Sequence, residues 1–256
     1  MKQLIFKLLS NVCTNWFIIA IGAESYFSRN IGYWKQFKVD PSKTDQENAG
    51  YSHAKPIQEA IDETHRVLDE LIAKNCPNGG QALDIGCGTG LYLKQFSDRN
   101  DNYKLFGIDM NESMLERAKV NCPTAELSIK DIYEAEFEEN SFDIIYTVGA
   151  IQYFGRKRLP KIFKKLRKML KPGGLVMISY PHAVSNADCW YKDISYIQYS
   201  PDTMNKLLDK ELEVEEHYHI TKKTYVGKYD RDPHVLANSQ WNKSYVNSSI
   251  IIARKK

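Results

Sequence analysis

Leu83-Asp84-Ile85-Gly86-Cys87-Gly88-Thr89-Gly90 is the stretch that decides how this sequence folds. Ala82 to Ile85 is a short apolar run and Leu91 to Phe96 has helical spacing, so three glycines stand at a strand-to-helix turn. Glycine there lets a ligand come close to the backbone. The spacing is G-x-G-x-G, not the G-x-G-x-x-G of dinucleotide sites. Asp84 comes just before the turn, where a pyrophosphate would be repelled and a cationic ligand would be welcome. The alternative is a tight β-α turn that holds nothing.

Strands and helices alternate outward from this turn. Strands are expected at Lys104–Ile108, Ala125–Ile129, Phe142–Val148 and Leu175–Ser179, with helices at Glu112–Val120 and Leu159–Leu170. The near-continuous apolar run of Phe142–Val148 indicates burial on both faces. Lys171-Pro172-Gly173-Gly174 ends the second of those helices. Such alternation predicts a parallel sheet with right-handed crossovers. The tail differs: a helix at Pro201–Leu208 capped by Ser200, then strands at Glu213–His219 and Val246–Ala253 with no helix between them, hence an antiparallel pair. Two more acids follow strands. Asp109 can accept from vicinal ribose hydroxyls, or can instead cap the next helix. Asp131 can accept from an adenine amino group with Ile132 behind the ring, or can be a solvated loop acid. Ligands of open α/β sheets bind at this carboxyl edge.

The set formed by Asp84 to Gly90, Asp109, Asp131, the strand at Phe142 and the Leu170 to Gly174 turn resembles class I S-adenosylmethionine-dependent methyltransferases of the small-molecule type. The resemblance covers roughly residues 81–180. It implies an α/β, Rossmann-like, doubly wound seven-stranded sheet, mostly parallel with an antiparallel last strand, plus an N-terminal helical cap. The expected division is a cap over 1–78 and a methyltransferase domain over 79–256, with an irregular insertion at about 220–245. S-adenosyl-L-methionine is the implied cofactor, and its ammonium and sulfonium suit Asp84. The expected binding set is Tyr33, Asp84, Gly86, Cys87, Gly88, Gly90, Asp109, Met110, Asp131, Ile132 and Val148. Tyr33 enters because Asn30-Ile31-Gly32-Tyr33-Trp34 resembles a segment that folds over the cofactor; Tyr33 and Trp34 can equally be core aromatics. Thr147-Val148-Gly149-Ala150 lacks the Asn/Asp-Pro-Pro-aromatic turn of enzymes that methylate nucleobase amines or glutamine amides. Relatives often carry His near Gln152 and Tyr153, and here those positions are Gln and Tyr. His182, after the fifth strand, is therefore the candidate base, with Tyr153 the second catalytic candidate; the alternative for His182 is an ordinary loop residue.

The rest of the sequence narrows the setting. The 256 residues are 43% hydrophobic and 26% charged with net charge +3, a globular composition whose charge gives no case for nucleic acid. Five cysteines, none spaced C-x-x-C, support neither zinc nor a disulfide framework; no metal is expected and a reducing cytoplasm is. Leu4, Ile5, Leu8, Leu9, Val12, Cys13 and Trp16 recur at helical spacing, broken by Lys7, Ser10 and Asn11. That is an amphipathic helix packed on the domain rather than a signal peptide, with peripheral membrane contact as the weaker reading and no spanning segment. The sequence leaves the oligomeric state open. Two rival functions remain: a nicotinamide-dependent oxidoreductase, and a catalytically silent assembly protein that keeps the cofactor site.

Overall fold

The computed structural model describes residues 33–51, 55–99, 102–155, 157–182, 187–191, 194–223 and 245–256. The helix expected over the first sixteen residues, Asn30 to Gly32 and most of the expected insertion lie outside the described residues.

A helical turn at 33–36 and the short helix α1 (Asp45–Asn48) precede the long helix α2 (Lys55–Asn75). Then come β1 (Gly80–Ile85), α3 (Leu91–Ser97), β2 (Tyr103–Asp109), α4 (Glu112–Asn121), β3 (Glu126–Ile129) and β4 (Phe142–Val148). After a 3₁₀ turn at Ile151–Tyr153 follow α5 (Leu159–Met169), β5 (Leu170–Pro181), β6 (Ala187–Tyr191), β7 (Ile194–Gln198), α6 (Pro201–Leu208), β8 (Leu212–Lys223) and β9 (Tyr245–Lys255). Seven strands form one sheet in the order β3-β2-β1-β4-β5-β9-β8. The first five are parallel, and β9 runs antiparallel to both β5 and β8. This is the expected doubly wound, seven-stranded sheet with a reversed last strand.

Apolar periodicity builds its two layers. Leu159, Ile162, Phe163, Leu166 and Met169 put one face of α5 into a core shared with Met204, Leu207 and Leu208 of α6. Val67, Leu68, Leu71 and Ile72 of α2 pack on the opposite face with Leu93 and Phe96 of α3 and Leu115 of α4. Between the layers Ile144, Ile145 and Tyr146 are fully buried, as the unbroken apolar run of β4 requires.

Two elements differ from the expectation. β5 begins at Leu170, because Leu170 pairs with Phe142 and the register then shifts before Ile144 pairs with Leu175. The Lys171-Pro172-Gly173-Gly174 turn is thus absorbed as an irregularity inside the strand, pinned by the Lys171 ammonium on Asp143 at 2.6 Å. The β6–β7 pair was not among the expected elements, although two β-prone runs around Lys192-Asp193 are a hairpin signal.

Candidate functional site

The carboxyl ends of β1 to β4 open into a cleft of about 1130 Å³. Strand register brings the ends together: Ile85 pairs with Ile108, and Asp109 with Ile129. The glycine turn folds back over β2, since the amides of Gly86 and Cys87 both donate to the Ile108 carbonyl, at 2.8 and 3.1 Å. Gly86 needs to be glycine: its φ is +74° and a Cβ would stand 2.6 Å from that of Ala150. Gly88, at φ +51°, faces open space, with no atom within 4 Å of where a Cβ would be. The loop therefore presents backbone to the cleft at Gly88, with room for a ligand against it.

Of the expected binding set, Gly86, Cys87, Gly88, Asp109, Met110, Asp131, Ile132 and Val148 line this cleft. Tyr33, Asp84 and Gly90 do not. Gly90 occupies the N-cap of α3 at φ +79°. Tyr33 stands edge-on to Trp34, and it is Trp34 that reaches the cleft. Asp84 is 2% exposed behind the wall, and its Oδ2 has no hydrogen-bond partner among the described residues. Burial, reinforced by the charge of Asp109, pushes its pKa well above the carboxylate range; the nearby Tyr146 hydroxyl pulls the other way but lies outside hydrogen-bond geometry.

Asp109 is better satisfied. Its Oδ2 accepts from the Gly88 amide and its Oδ1 from the Asn111 amide, each at 2.9 Å. Burial raises its pKa against those two bonds and a third from the Met110 amide. It does not cap α4. Asn111 does, its side chain accepting from the Met114 amide at 2.7 Å. Asp131 closes a local turn by accepting from the Tyr133 amide at 3.0 Å.

Tyr153 lines the cleft beside Trp34, with ring centroids 5.8 Å apart. Burial raises its pKa strongly, so its hydroxyl keeps the proton and can donate but not act as a base. His182 lies just past Pro181, 9% exposed, with Nδ1 2.9 Å from the Ser249 hydroxyl, and does not line the cleft. A second cavity of about 430 Å³ adjoins the cleft through Tyr51, Tyr92, Val148 and Gly149. Its other walls include Ile61 and Thr64 of α2, Ser179 to Pro181 of β5, and Ser248. Sequence reasoning missed Tyr51, Tyr92, Arg158 and Asn111. Tyr92 had a signal in its place on the first turn after the glycines; the others are brought in by tertiary packing alone.

The ligand this lining fits is long and of mixed character. It offers an open backbone cradle, two acids on successive strand ends and an apolar wall of Ile85, Ile108, Ile132 and Val148, with the Asp84 carboxyl buried behind it and its Oδ2 unpartnered among the described residues. That combination suits a nucleoside carrying a cationic amino-acid tail and suits a pyrophosphate poorly.

Residues 82–174 match the family described as a methyltransferase domain. Phosphoethanolamine N-methyltransferase 1 of Triticum aestivum is 34% identical over 123 residues, covering 45% of this chain and 23% of that protein. Demethylmenaquinone methyltransferase of Staphylococcus aureus (strain JH9) is 35% identical over 124 residues, covering 45% of this chain and 49% of that protein. The chain thus spans at most about half the length of these curated relatives. A solved geranyl diphosphate methyltransferase, in complex with GPP and sinefungin, superposes with a TM-score of 0.67 at 12% identity, over 91% of this chain and 100% of that one, a likeness of fold.

Proposed function

We propose that the chain is a class I S-adenosylmethionine-dependent methyltransferase, its methyltransferase domain lying over residues 82–174, and that it methylates an oxygen, nitrogen or carbon of a small, partly apolar metabolite. The observation that carries the reading is the buried, unpaired Asp84 Oδ2 behind a glycine loop open at Gly88. Asp84 and the loop would hold the methionine end of the cofactor, Asp109 the ribose hydroxyls, and Asp131 with Ile132 the adenine. Tyr33 would act through Trp34, against which it packs. When bound, S-adenosylmethionine supplies a methyl group already activated on a sulfonium. The chain's own work is then to position the acceptor in line and to keep water out. Trp34, Tyr51, Tyr92, Tyr153 and Phe154 give the cleft an aromatic rim for the second task.

We assign the acceptor to the second cavity, because it shares four wall residues with the cleft. The matched relatives are named for small acceptors, phosphoethanolamine and demethylmenaquinone, which supports the class and leaves the atom open. Tyr153 would orient the acceptor by donating a hydrogen bond, and His182 would take the proton where the acceptor is a hydroxyl. Among the described residues no helix is long and apolar enough to cross a membrane, and a cytoplasmic setting belongs to the same proposal.

Calorimetry tests the cofactor first. The demethylated product, S-adenosylhomocysteine, is expected to bind far more tightly than NAD, and the reverse order would return the oxidoreductase reading. Labelled S-adenosylmethionine incubated with a metabolite extract then tests the activity. A protein that binds the cofactor but labels nothing in any extract is the silent assembly protein.

A further inference from the structure

Asn111 makes more contacts than a helix cap requires. It precedes Glu112 at the start of α4, is 1% exposed, and its Oδ1 accepts from the Met114 amide. Serine, threonine or aspartate at that position would serve the helix as well. What asparagine adds is the Nδ2 group with two hydrogens, and both are used. One goes to the Phe37 carbonyl at 2.7 Å and the other to the Trp34 carbonyl. Trp34 lies within the 33–36 helical turn and Phe37 just past it, and the Trp34 carbonyl also accepts from the Phe37 amide at 3.2 Å. A flipped amide would set oxygen against two carbonyls and nitrogen against an amide, so the network fixes which atom is which.

The backbone of Asn111 points the other way. Its amide donates to Oδ1 of Asp109 at 2.9 Å, and Oδ2 of Asp109 accepts from Gly88, also at 2.9 Å. A continuous series of partly buried hydrogen bonds therefore runs from the glycine loop through Asp109 and Asn111 to the segment that carries Trp34. A second tie lies beside it, the Val39 amide donating to the Ser113 hydroxyl at 3.0 Å. Trp34, Asp109, Met110 and Met114 all line the same cleft.

We infer that Asn111 is a positioning residue: it clamps residues 33–39 over the cleft and ties that closure to the carboxylate of Asp109, so that cofactor affinity depends on the clamp. The inference rests on the cofactor reading above, and its consequences can be separated from it. A ligand engaging Asp109 meets Trp34 already in place while Asn111 holds, and meets a frayed wall when it does not. Residues 33–39 then contribute to affinity although Asn111 itself does not line the cleft.

Two substitutions keep the cap oxygen and remove the Nδ2 donors, Asn111→Ser and Asn111→Asp. Ser200→Ala is the control, because it deletes the cap of α6 away from the cleft. Each full-length protein is measured for S-adenosylhomocysteine affinity by calorimetry, for hydrogen exchange in peptides covering 33–39, and for its thermal midpoint. Both Asn111 variants are expected to bind about tenfold more weakly and to exchange about tenfold faster at 33–39, as the loss of two partly buried hydrogen bonds implies. The melting of Asn111→Ser should change no more than that of Ser200→Ala, which should keep normal affinity and normal exchange at 33–39; Asn111→Asp, which sets an oxygen against both carbonyls, should melt lower. Unchanged exchange in the Asn111 variants overturns the clamp, and faster exchange with unchanged affinity overturns its link to the cofactor. If the wild-type protein binds no S-adenosylhomocysteine, the cofactor reading fails, and the exchange measurement alone still decides whether Asn111 holds the segment.

Discussion

Asp84 is a buried carboxyl whose Oδ2 has no hydrogen-bond partner among the described residues, and that has a pH signature. Its pKa is raised by burial and by Asp109, so the folded free protein holds a proton that the unfolded chain has already lost. Stability from this group is therefore present at low pH and declines as pH rises from the ordinary carboxylate range through the raised value. A cationic ammonium favours the ionised form, so its binding expels that proton and affinity rises with pH over the same window. Calorimetry of S-adenosylhomocysteine in buffers of different ionisation enthalpy should register the released proton. Asp84→Asn should abolish the release and weaken binding by about 1–3 kcal/mol without lowering the melting temperature of the free protein. Retained proton release in that variant removes Asp84 from the binding set. His182 is tested by kinetics instead. With a hydroxyl acceptor, His182→Ala should lower turnover by about 10²–10⁴-fold and flatten its dependence on pH, with cofactor affinity unchanged. Ordinary turnover in the variant leaves His182 as a structural partner of Ser249, to which it is hydrogen-bonded, and returns catalysis to positioning.

The unit that joins β1 to α3 shows what an element demands of its residues. Gly86→Ala meets both a positive φ and the Ala150 side chain, so it should cost stability, about 1–3 kcal/mol in urea unfolding. Gly88→Ala meets open space and should cost only about 1 kcal/mol for its left-handed backbone, while its new methyl intrudes on the cofactor and weakens binding. Equal behaviour of the two variants in both measurements would mean that the loop is a turn and nothing more. The same distinction explains what the sequence made legible. Buried parallel strands show as apolar runs and the helices show their 3.6-residue period, so β1 to β4 and α3 to α6 were expected close to where they lie. The glycines and the acids at strand ends were legible because local chemistry places them. The rest depends on distant partners. Asn111 meets Trp34 across 77 residues, Gly173-Gly174 stays within β5 because of pairing with Phe142, and Tyr51 reaches the cleft only through packing. No window of sequence contains those pairs.

At the scale of the whole molecule the issue is where the cap ends and the domain begins. The sequence suggested a divide at residue 78, yet α2 shares its core with the sheet. Val67 is all but sealed from solvent and Leu68 and Ile72 are fully so, in one cluster with Leu175 and Met177 of β5 and Ile250 and Ile252 of β9. β9 itself lies between β5 and β8, so α2 covers the part of the sheet where strand direction reverses. We therefore place the divide nearer Lys55 and predict different outcomes for two shortened chains. A chain beginning at Lys55 keeps both layers and should fold, with cooperative thermal unfolding and the full helical dichroism of the layers. Without Trp34, Tyr51 and the segment tied to Asn111, it should bind S-adenosylhomocysteine more weakly than the whole chain. A chain beginning at Gly79 loses Val67, Leu68, Leu71, Ile72 and Cys76 from the core. At about 1.5–3 kcal/mol for each large apolar side chain, four of them forfeit about 6–12 kcal/mol, as much as the whole margin of about 5–15 kcal/mol that keeps a domain folded. It should aggregate or show no cooperative transition. A cooperative transition in the Gly79 chain would put the divide back at residue 78 and make α2 part of a detachable cap.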